Sequence, residues 1–321
     1  MTNPEARSVE IATVTLNPAI DWTVAVPDLK PGSVNRAESV GRRAGGKGVN
    51  VAAALAEQGH RVAAFGFLGR ENEAPFVDFF AAHGVRDRCL RLPGATRTGI
   101  KIVDPARGET TDLNFPGLAP TPDELAELSR RLDELEGGWC VLAGSLPPGV
   151  PVDFYARTIE RLHARGVRVA LDTSGAPLAV ALVARPEIIK PNEHELAALV
   201  GRGLADEAAV IDAARGLVAQ GVGLVAVSRG ASGAVFVIAD EVVGARPPAI
   251  EVRSTVGAGD AMVAGLVAAR LRGLALPDAA RLATAFSLHA LGRSAVATGE
   301  GGLDPRAAVE AFAARVEIRI C

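Results

Sequence analysis

Asp260 closes the run Thr255-Val256-Gly257-Ala258-Gly259-Asp260, an order of residue types able to move a proton beside a developing negative charge. Gly257 and Gly259 let the backbone pass close to a bound group, and the free N–H groups of the helical turn beyond them attract anions. Two readings of the acid stand. It is a first-turn carboxylate favoured by the helix dipole, or a general base beside an oxyanion cradle, taking a hydroxyl proton as a phosphoryl group arrives. Taken alone, so short a motif favours the first. A second glycine turn, residues 44–48, enters another helix that runs to about Glu57 and can also cradle a polar ligand.

These residues need elements to hold them. Residues 262–271 carry Met262, Val263, Leu266, Val267 and Leu271 near a 3.6 period, a helix directly after the glycines. The short β-branched run at residues 11–16, bounded by Asn17-Pro18, is a first buried strand. Strand and helix patterns then alternate. Strands are expected at 62–66, 89–92, 141–143, 168–172, 187–190 and 224–228, followed by two more before the opening motif. Helices are expected at 74–83, 122–135, 152–165 and 207–220, and around 279–291. Thr121-Pro122-Asp123-Glu124 is a capping sequence. Two pairs of strand-like runs interrupt the alternation, at 22–26 with 35–40 and at 98–103 with 110–114. They carry few large apolar residues and suit a small exposed sheet. The expectation is one α/β unit, residues 1–321, with a mostly parallel central sheet and lid insertions at about 20–42 and 95–116. Polar turns recur at successive strand ends, at 17–21, 144–145, 172–173, 192–195 and 228–230. In parallel α/β sheets ligands sit outside those ends, so the turns are expected to line one crevice.

Composition narrows the classes. The chain is 49% hydrophobic and 22% charged, with a net charge of -3, which fits a soluble globular protein and argues against a nucleic-acid binder. Only Lys30, Lys47, Lys101 and Lys190 are lysines. Cys89, Cys140 and Cys321 are odd in number and widely spaced, which fits a reducing compartment. No signal pattern or long apolar run is present, so a cytoplasmic protein without a membrane partner is expected. The five histidines are scattered and are read as structural or surface residues. A dinucleotide-dependent dehydrogenase fails, because Asn17-Pro18-Ala19-Ile20-Asp21, and not G-x-G-x-x-G, follows the first strand.

Three motifs in order resemble the ribokinase-like PfkB carbohydrate kinase family. They are Gly45-Gly46-Lys47-Gly48-Val49-Asn50, Lys190-Pro191-Asn192-x-x-Glu195 and Thr255-Val256-Gly257-Ala258-Gly259-Asp260, and the resemblance covers nearly the whole chain. It implies a three-layer α/β/α core with a β lid, and an ATP-dependent kinase using Mg²⁺. Asp260 is implied as the base, with the N–H groups of Gly257, Ala258 and Gly259 stabilising the transferring phosphoryl. Asn192 and Glu195, three apart at a helix start, are implied to hold Mg²⁺ through water; a plain helix cap is the competing reading. Lys190, Asn192, Ser228, Gly230, Ala231, Gly233, Gly257 and Gly259 are implied on the nucleotide side. Arg229 stands in a variable position of that loop and reads equally well as solvated surface.

On the sugar side the resemblance assigns Asp21, Gly45, Gly46 and Asn50 to hydroxyls, Lys47 and Arg97 to a substrate phosphate, and Ser145 to a further contact. Residues 13–19, 66–72 and 111–115 resemble the branch of the family that phosphorylates fructose 1-phosphate. Fructose 6-phosphate or tagatose 6-phosphate, turned round in the site, are the alternatives, and a sugar-phosphate-binding regulator without turnover is the non-enzyme one. One departure is visible: Ala261 follows the acid where many relatives carry Ser. The lid is also a candidate surface for a homodimer.

Overall fold

The computed structural model describes residues 11–252, 256–292 and 304–321; Ser254 and Thr255 of the glycine run lie outside them. In chain order the strands are Ile11–Thr15 (β1), Ala19–Ala25 (β2), Glu38–Gly45 (β3), Val62–Gly69 (β4), Arg86–Asp87 (β5), Leu90–Leu92 (β6), Thr98–Asp104 (β7) and Glu109–Leu113 (β8). Then come Trp139–Ala143 (β9), Arg168–Asp172 (β10), Ile188–Ile189 (β11), Leu224–Ser228 (β12), Ala234–Val237 (β13), Val242–Arg246 (β14) and Glu317–Ile320 (β15). The helices are Lys47–Glu57 (α1), Ala74–His83 (α2), Pro122–Leu132 (α3), Phe154–His163 (α4), Gly175–Ala181 (α5), Glu193–Val200 (α6), Glu207–Ala219 (α7), Ala258–Leu271 (α8), Leu276–Gly292 (α9) and Pro305–Ala313 (α10).

Strands covered on both faces have no use for polar alternation, and β1, β4 and β9 are buried at every position. Period-2 geometry then divides their side chains between two cores. Trp139, Val141 and Ala143 enter one with α1, α8 and α9, while Cys140 and Leu142 enter the other with α4 and α7. This is the expected three-layer architecture. The sheet runs β15-β14-β13-β12-β11-β10-β9-β1-β4-β5, with β6 also on β4. Its centre is parallel, and β13, β14 and β15 close one edge antiparallel. The chain leaves β1 toward β4 on one side and returns to β9 on the other. That makes the carboxyl end of β1 a switch point where a crevice opens.

The lid is a second sheet, β3-β2-β7-β8. Asp104, nearly buried, holds its turns by accepting the N–H groups of Asp28, Leu29, Ala106 and Arg107. One sequence expectation is corrected here: Gly45 ends β3 and does not belong to a glycine turn, because Ala44 and Gly45 pair with Ile20 and Ala19. Only Gly46, at φ 126°, makes the turn into α1. Four elements were not expected: β5, α5, α10 and β15. The Gly175–Ala181 helix is too short to show a period, and β15 (Glu-Ile-Arg-Ile) is a mostly exposed edge strand.

α8 is buried on nearly all sides, as its run of small and apolar residues requires. It packs so closely on α9 that a Cβ at Gly265 would stand 2.6 Å from Ala283 Cα. Ser287 Oγ also donates to Ala258 O at 2.9 Å and ties the first turn of α8 to α9.

Candidate active site

Two helix starts meet at the crevice. Gly257, the N-cap of α8, adopts φ 80°, which glycine takes without steric cost, and no side chain caps the helix. The opening N–H groups therefore keep no intrahelical acceptor. Asp260 follows in the first turn, 7% exposed. α1 begins at Lys47, also without a side-chain cap, and one turn in Asn50 donates Nδ2 to Asp260 Oδ2 at 2.7 Å.

Asp172, at the end of β10, completes this centre. Its Oδ1 lies 3.0 Å from Lys47 Nζ and 3.9 Å from Lys190 Nζ, and the side chain is 1% exposed. Its Oδ2 and the Oγ1 of neighbouring Thr173 are buried without hydrogen-bond partners among the described residues. Burial, then the Asp172 charge, pushes the Asp260 carboxyl up to about 6, against the pull of Asn50, Lys47 and Lys190. Burial works against the Lys47 ammonium too, yet Asp172 and then Asp260 hold its pKa above the ordinary lysine value. A Cβ at Gly259 would stand 3.1 Å from Lys190 Nζ, so glycine there admits the ammonium beside the helix start.

The lid supplies a second cluster. Asp21 on β2 faces Gly45, where a Cβ would stand 2.5 Å from Asp21 Oδ2, so only glycine leaves room for that carboxylate. Burial raises the Asp21 pKa against the attraction of Lys101, Arg43 and Arg97. Arg97 donates Nη2 to Asn17 O at 3.1 Å and Nη1 to Asn114 Oδ1 and Phe115 O at 3.3 and 3.5 Å. Burial lowers its pKa, opposed by Asp21. Asn17 in turn donates Nδ2 to Ser145 Oγ at 3.1 Å, so one asparagine after β1 links the turn after β9 to the lid hinge.

The third cluster lies at the ends of β11 and β12. Asn192 caps α6: its Oδ1 accepts Glu195 N at 2.8 Å, and Glu195 Oε2 accepts Asn192 N at 2.9 Å. The cap therefore exists, and it leaves one Glu195 carboxylate oxygen for a further partner. Asn192 pairs with Ser228 in a parallel bridge. Ser228 leads into the turn Gly230–Ser232, where Gly230 and Ala231 are exposed and Gly233 is buried. Arg229 is not solvated surface: it donates to Glu193 Oε1 at 2.7 Å and pairs with Glu207.

The sequence put Asp172 and Asn17 in turns expected to line the crevice without giving either a chemical task, and it gave Asn114 and Lys101 none. For Asp172 and Asn17 a signal existed, since both sit at the carboxyl ends of central strands. Lys47 and Arg97, both considered for a substrate phosphate, fall in different clusters: Lys47 in the reaction centre, Arg97 at the lid hinge.

A buried base flanked by two ammonium groups, at the carboxyl edge of a sheet with a lid above, suits transfer of an anionic group to a hydroxyl, the work of an α/β phosphotransferase. Residues 12–300 match the model of the pfkB family carbohydrate kinases, and the chain belongs to that family. It is thus a carbohydrate kinase with an alcohol group as acceptor. Similar proteins include the 1-phosphofructokinase of Rhodobacter capsulatus, 55% identical over 288 residues that cover 89% of this chain and 91% of that one. The 1-phosphofructokinase of Xanthomonas campestris pv. campestris is 49% identical over 311 residues, 94% and 98% of the two chains. Among solved structures, phosphofructokinase-2 from Escherichia coli in complex with substrates and products superposes with a TM-score of 0.87 at 30% identity, covering 95% of this chain and 99% of that one. The fold is therefore ribokinase-like.

Proposed function

We propose that this chain transfers the γ-phosphoryl group of ATP to the C6 hydroxyl of fructose 1-phosphate, giving fructose 1,6-bisphosphate and ADP. The observation that carries the reaction type is the Asp260 carboxylate, buried at an uncapped helix start and held by Asn50. The acceptor rests on the 1-phosphofructokinases at 55% and 49% identity over most of the chain.

Asp260 takes the proton of the C6 hydroxyl as its oxygen attacks, and the N–H groups of Gly257, Ala258 and Gly259 face the charge on the phosphoryl oxygens. Lys47 and Lys190 bring two positive charges to the same place, and Asp172 keeps both ammonium groups there. Asp21, Gly45, Gly46 and Asn50 line the sugar side, Ser145 stands at its border through Asn17, and Arg97 grips the phosphate the sugar already carries. The turn of Ser228, Gly230, Ala231 and Gly233, with Lys190 and Asn192, receives the nucleotide.

No group of three or more His, Cys, Asp or Glu side chains among the described residues could hold a metal ion directly. The remaining oxygen of Glu195 and the cap residue Asn192 fit Mg²⁺ held through water, the mode this ion favours beside phosphates. When bound with ATP, Mg²⁺ neutralises phosphate charge.

A cytoplasmic location belongs to this reading, since the reaction consumes ATP; no helix of the described residues is long and apolar enough to cross a membrane. A homodimer through the lid belongs to this reading, since Val34, Val40, Leu113 and Phe115 are exposed on the lid or at its borders. ADP release with Mg-ATP and fructose 1-phosphate, fructose 6-phosphate, tagatose 6-phosphate or fructose tests the acceptor. The highest kcat/KM is expected for fructose 1-phosphate; a preference for any other sugar overturns the assignment.

A further inference from the structure

The lid face that carries Asp21 holds more positive charge than a neutral sugar needs. Asp21, Gly99 and Asn114 meet there, and a Cβ at residue 99 would stand 3.3 Å from Asp21 Oδ1 and 3.6 Å from Asn114 Oδ1. Lys101 lies two residues further along β7 and so shares this face. Asp112 of β8 stands directly opposite Lys101, and the two are paired at 3.0 Å from Nζ to Oδ1. Arg43 on β3 faces Asp21, and Arg97 immediately precedes β7 with its Nε buried and without a hydrogen-bond partner among the described residues. Of the charges acting on Asp21, Lys101 is the strongest, ahead of Arg43 and Arg97.

The pair has little structural work to do. A solvent-exposed ion pair contributes at most about 1 kcal/mol, and β8 is exposed at all five positions, so no core depends on its register. The two partners also differ in setting: Lys101 is 20% exposed, Asp112 50%. The lysine side chain is mostly covered, while the aspartate side chain is half exposed. Lys101 is one of four lysines among thirty-four Lys and Arg residues, and two of the others grip Asp172 in the reaction centre.

We propose that Lys101 is a second ligand, beside Arg97, for the phosphate the acceptor already carries, and that Asp112 is the counter-ion this phosphate displaces. The inference rests on the reading of the acceptor as a ketohexose phosphate. The two cations divide the task. Arg97, fixed by Asn17, Asn114 and Phe115, offers a rigid fork, while Lys101 swings a compact charge on a flexible stem. A phosphate dianion competes for the ammonium better than one exposed carboxylate. Without it Lys101 stays satisfied by Asp112, so an unphosphorylated sugar gains nothing from this residue and is discriminated against.

The test is steady-state kinetics of Lys101→Met, Lys101→Arg and Asp112→Asn with the phosphorylated sugar that the unmodified protein prefers. Lys101→Met is expected to raise the acceptor KM about tenfold or more, with a smaller fall in kcat and the KM for ATP within about twofold. Lys101→Arg should recover most of the loss. Asp112→Asn should lower the acceptor KM, since the ammonium no longer has to leave a carboxylate. A purely structural pair predicts the opposite pattern: both neutralising variants raise the acceptor KM or neither does, with equal falls in thermal midpoint. That result, or an unchanged KM in a folded Lys101→Met, overturns the proposal. Preference of the unmodified protein for fructose 6-phosphate would overturn the fructose 1-phosphate reading alone, and the variants are then read on that sugar. Preference for unphosphorylated fructose would overturn both.

Discussion

Asn50 and Asp260, 210 positions apart, are joined by a 2.7 Å hydrogen bond between the first turns of α1 and α8. Through it the glycine turn near the start of the chain orients the base near its end. Neither glycine run makes a site alone, because each contributes a helix start and only their junction supplies an oriented, buried carboxylate.

Asp260→Asn removes the proton acceptor while keeping size and the link to Asn50. We expect kcat to fall by at least ~10² with little change in sugar-phosphate binding. Rapid-quench measurement of bisphosphate formation, alongside calorimetry of acceptor binding, checks both halves. A variant that keeps most of its kcat removes Asp260 from the base role.

Because the folded protein lifts the Asp260 pKa from the ordinary 3.8 to about 6, the working, ionised form is lost on acidification through that value. The kcat/KM for the acceptor should fall about tenfold per pH unit below about 6 and level off above it. Folding shows the reverse sign: the native state holds this proton more tightly than the unfolded chain, so raising the pH from 3.8 to about 6 removes stability. Asp260→Asn should therefore unfold at higher temperature than the unmodified protein at pH 7.5, by differential scanning calorimetry.

Asp172 raises the Asp260 pKa and pairs with two lysines. Asp172→Asn should move the acid limb of the kcat/KM profile to lower pH, since one repelling charge is gone and Lys47 and Lys190 then act on Asp260 unopposed. It should also lower kcat, because the ammonium groups lose their anchor. An acid limb that stays in place would show that the two carboxylates do not communicate.

Arg97→Ala should raise the KM for the sugar phosphate by about tenfold or more and leave that for ATP nearly unchanged. An unchanged acceptor KM excludes Arg97 as a phosphate ligand.

Gly265→Ala tests the packing behind the site. The new methyl group would meet backbone, Ala283 Cα at 2.6 Å, and not a movable side-chain end. A stability loss of about 1–3 kcal/mol is expected from urea unfolding. Displacement of α8 would reach Asp260 as a lower kcat as well.

The sequence by itself determined the α/β class and the lid, and it named most of the residues gathered at the crevice, for local reasons. Short, largely apolar runs such as β1, β4 and β9, bounded by turn residues, fit strands covered on both faces, and Thr121 with Glu124 encodes its own helix cap. Gly257 and Asp260 declare a helix start that can bind an anion. Tertiary structure alone decided what depends on distant partners. Gly45 became strand because Ala19 stands beside it, and Arg229 left solvent because Glu193 and Glu207 converge on it. Asp172 gained its role when Lys47 and Lys190, from two other elements, met its carboxylate. Burial, which raises the Asp260 pKa, is likewise a property of no single segment: it comes from α8 packed between α1 and α9, and a periodicity of 3.6 residues carries no information about which helices those are.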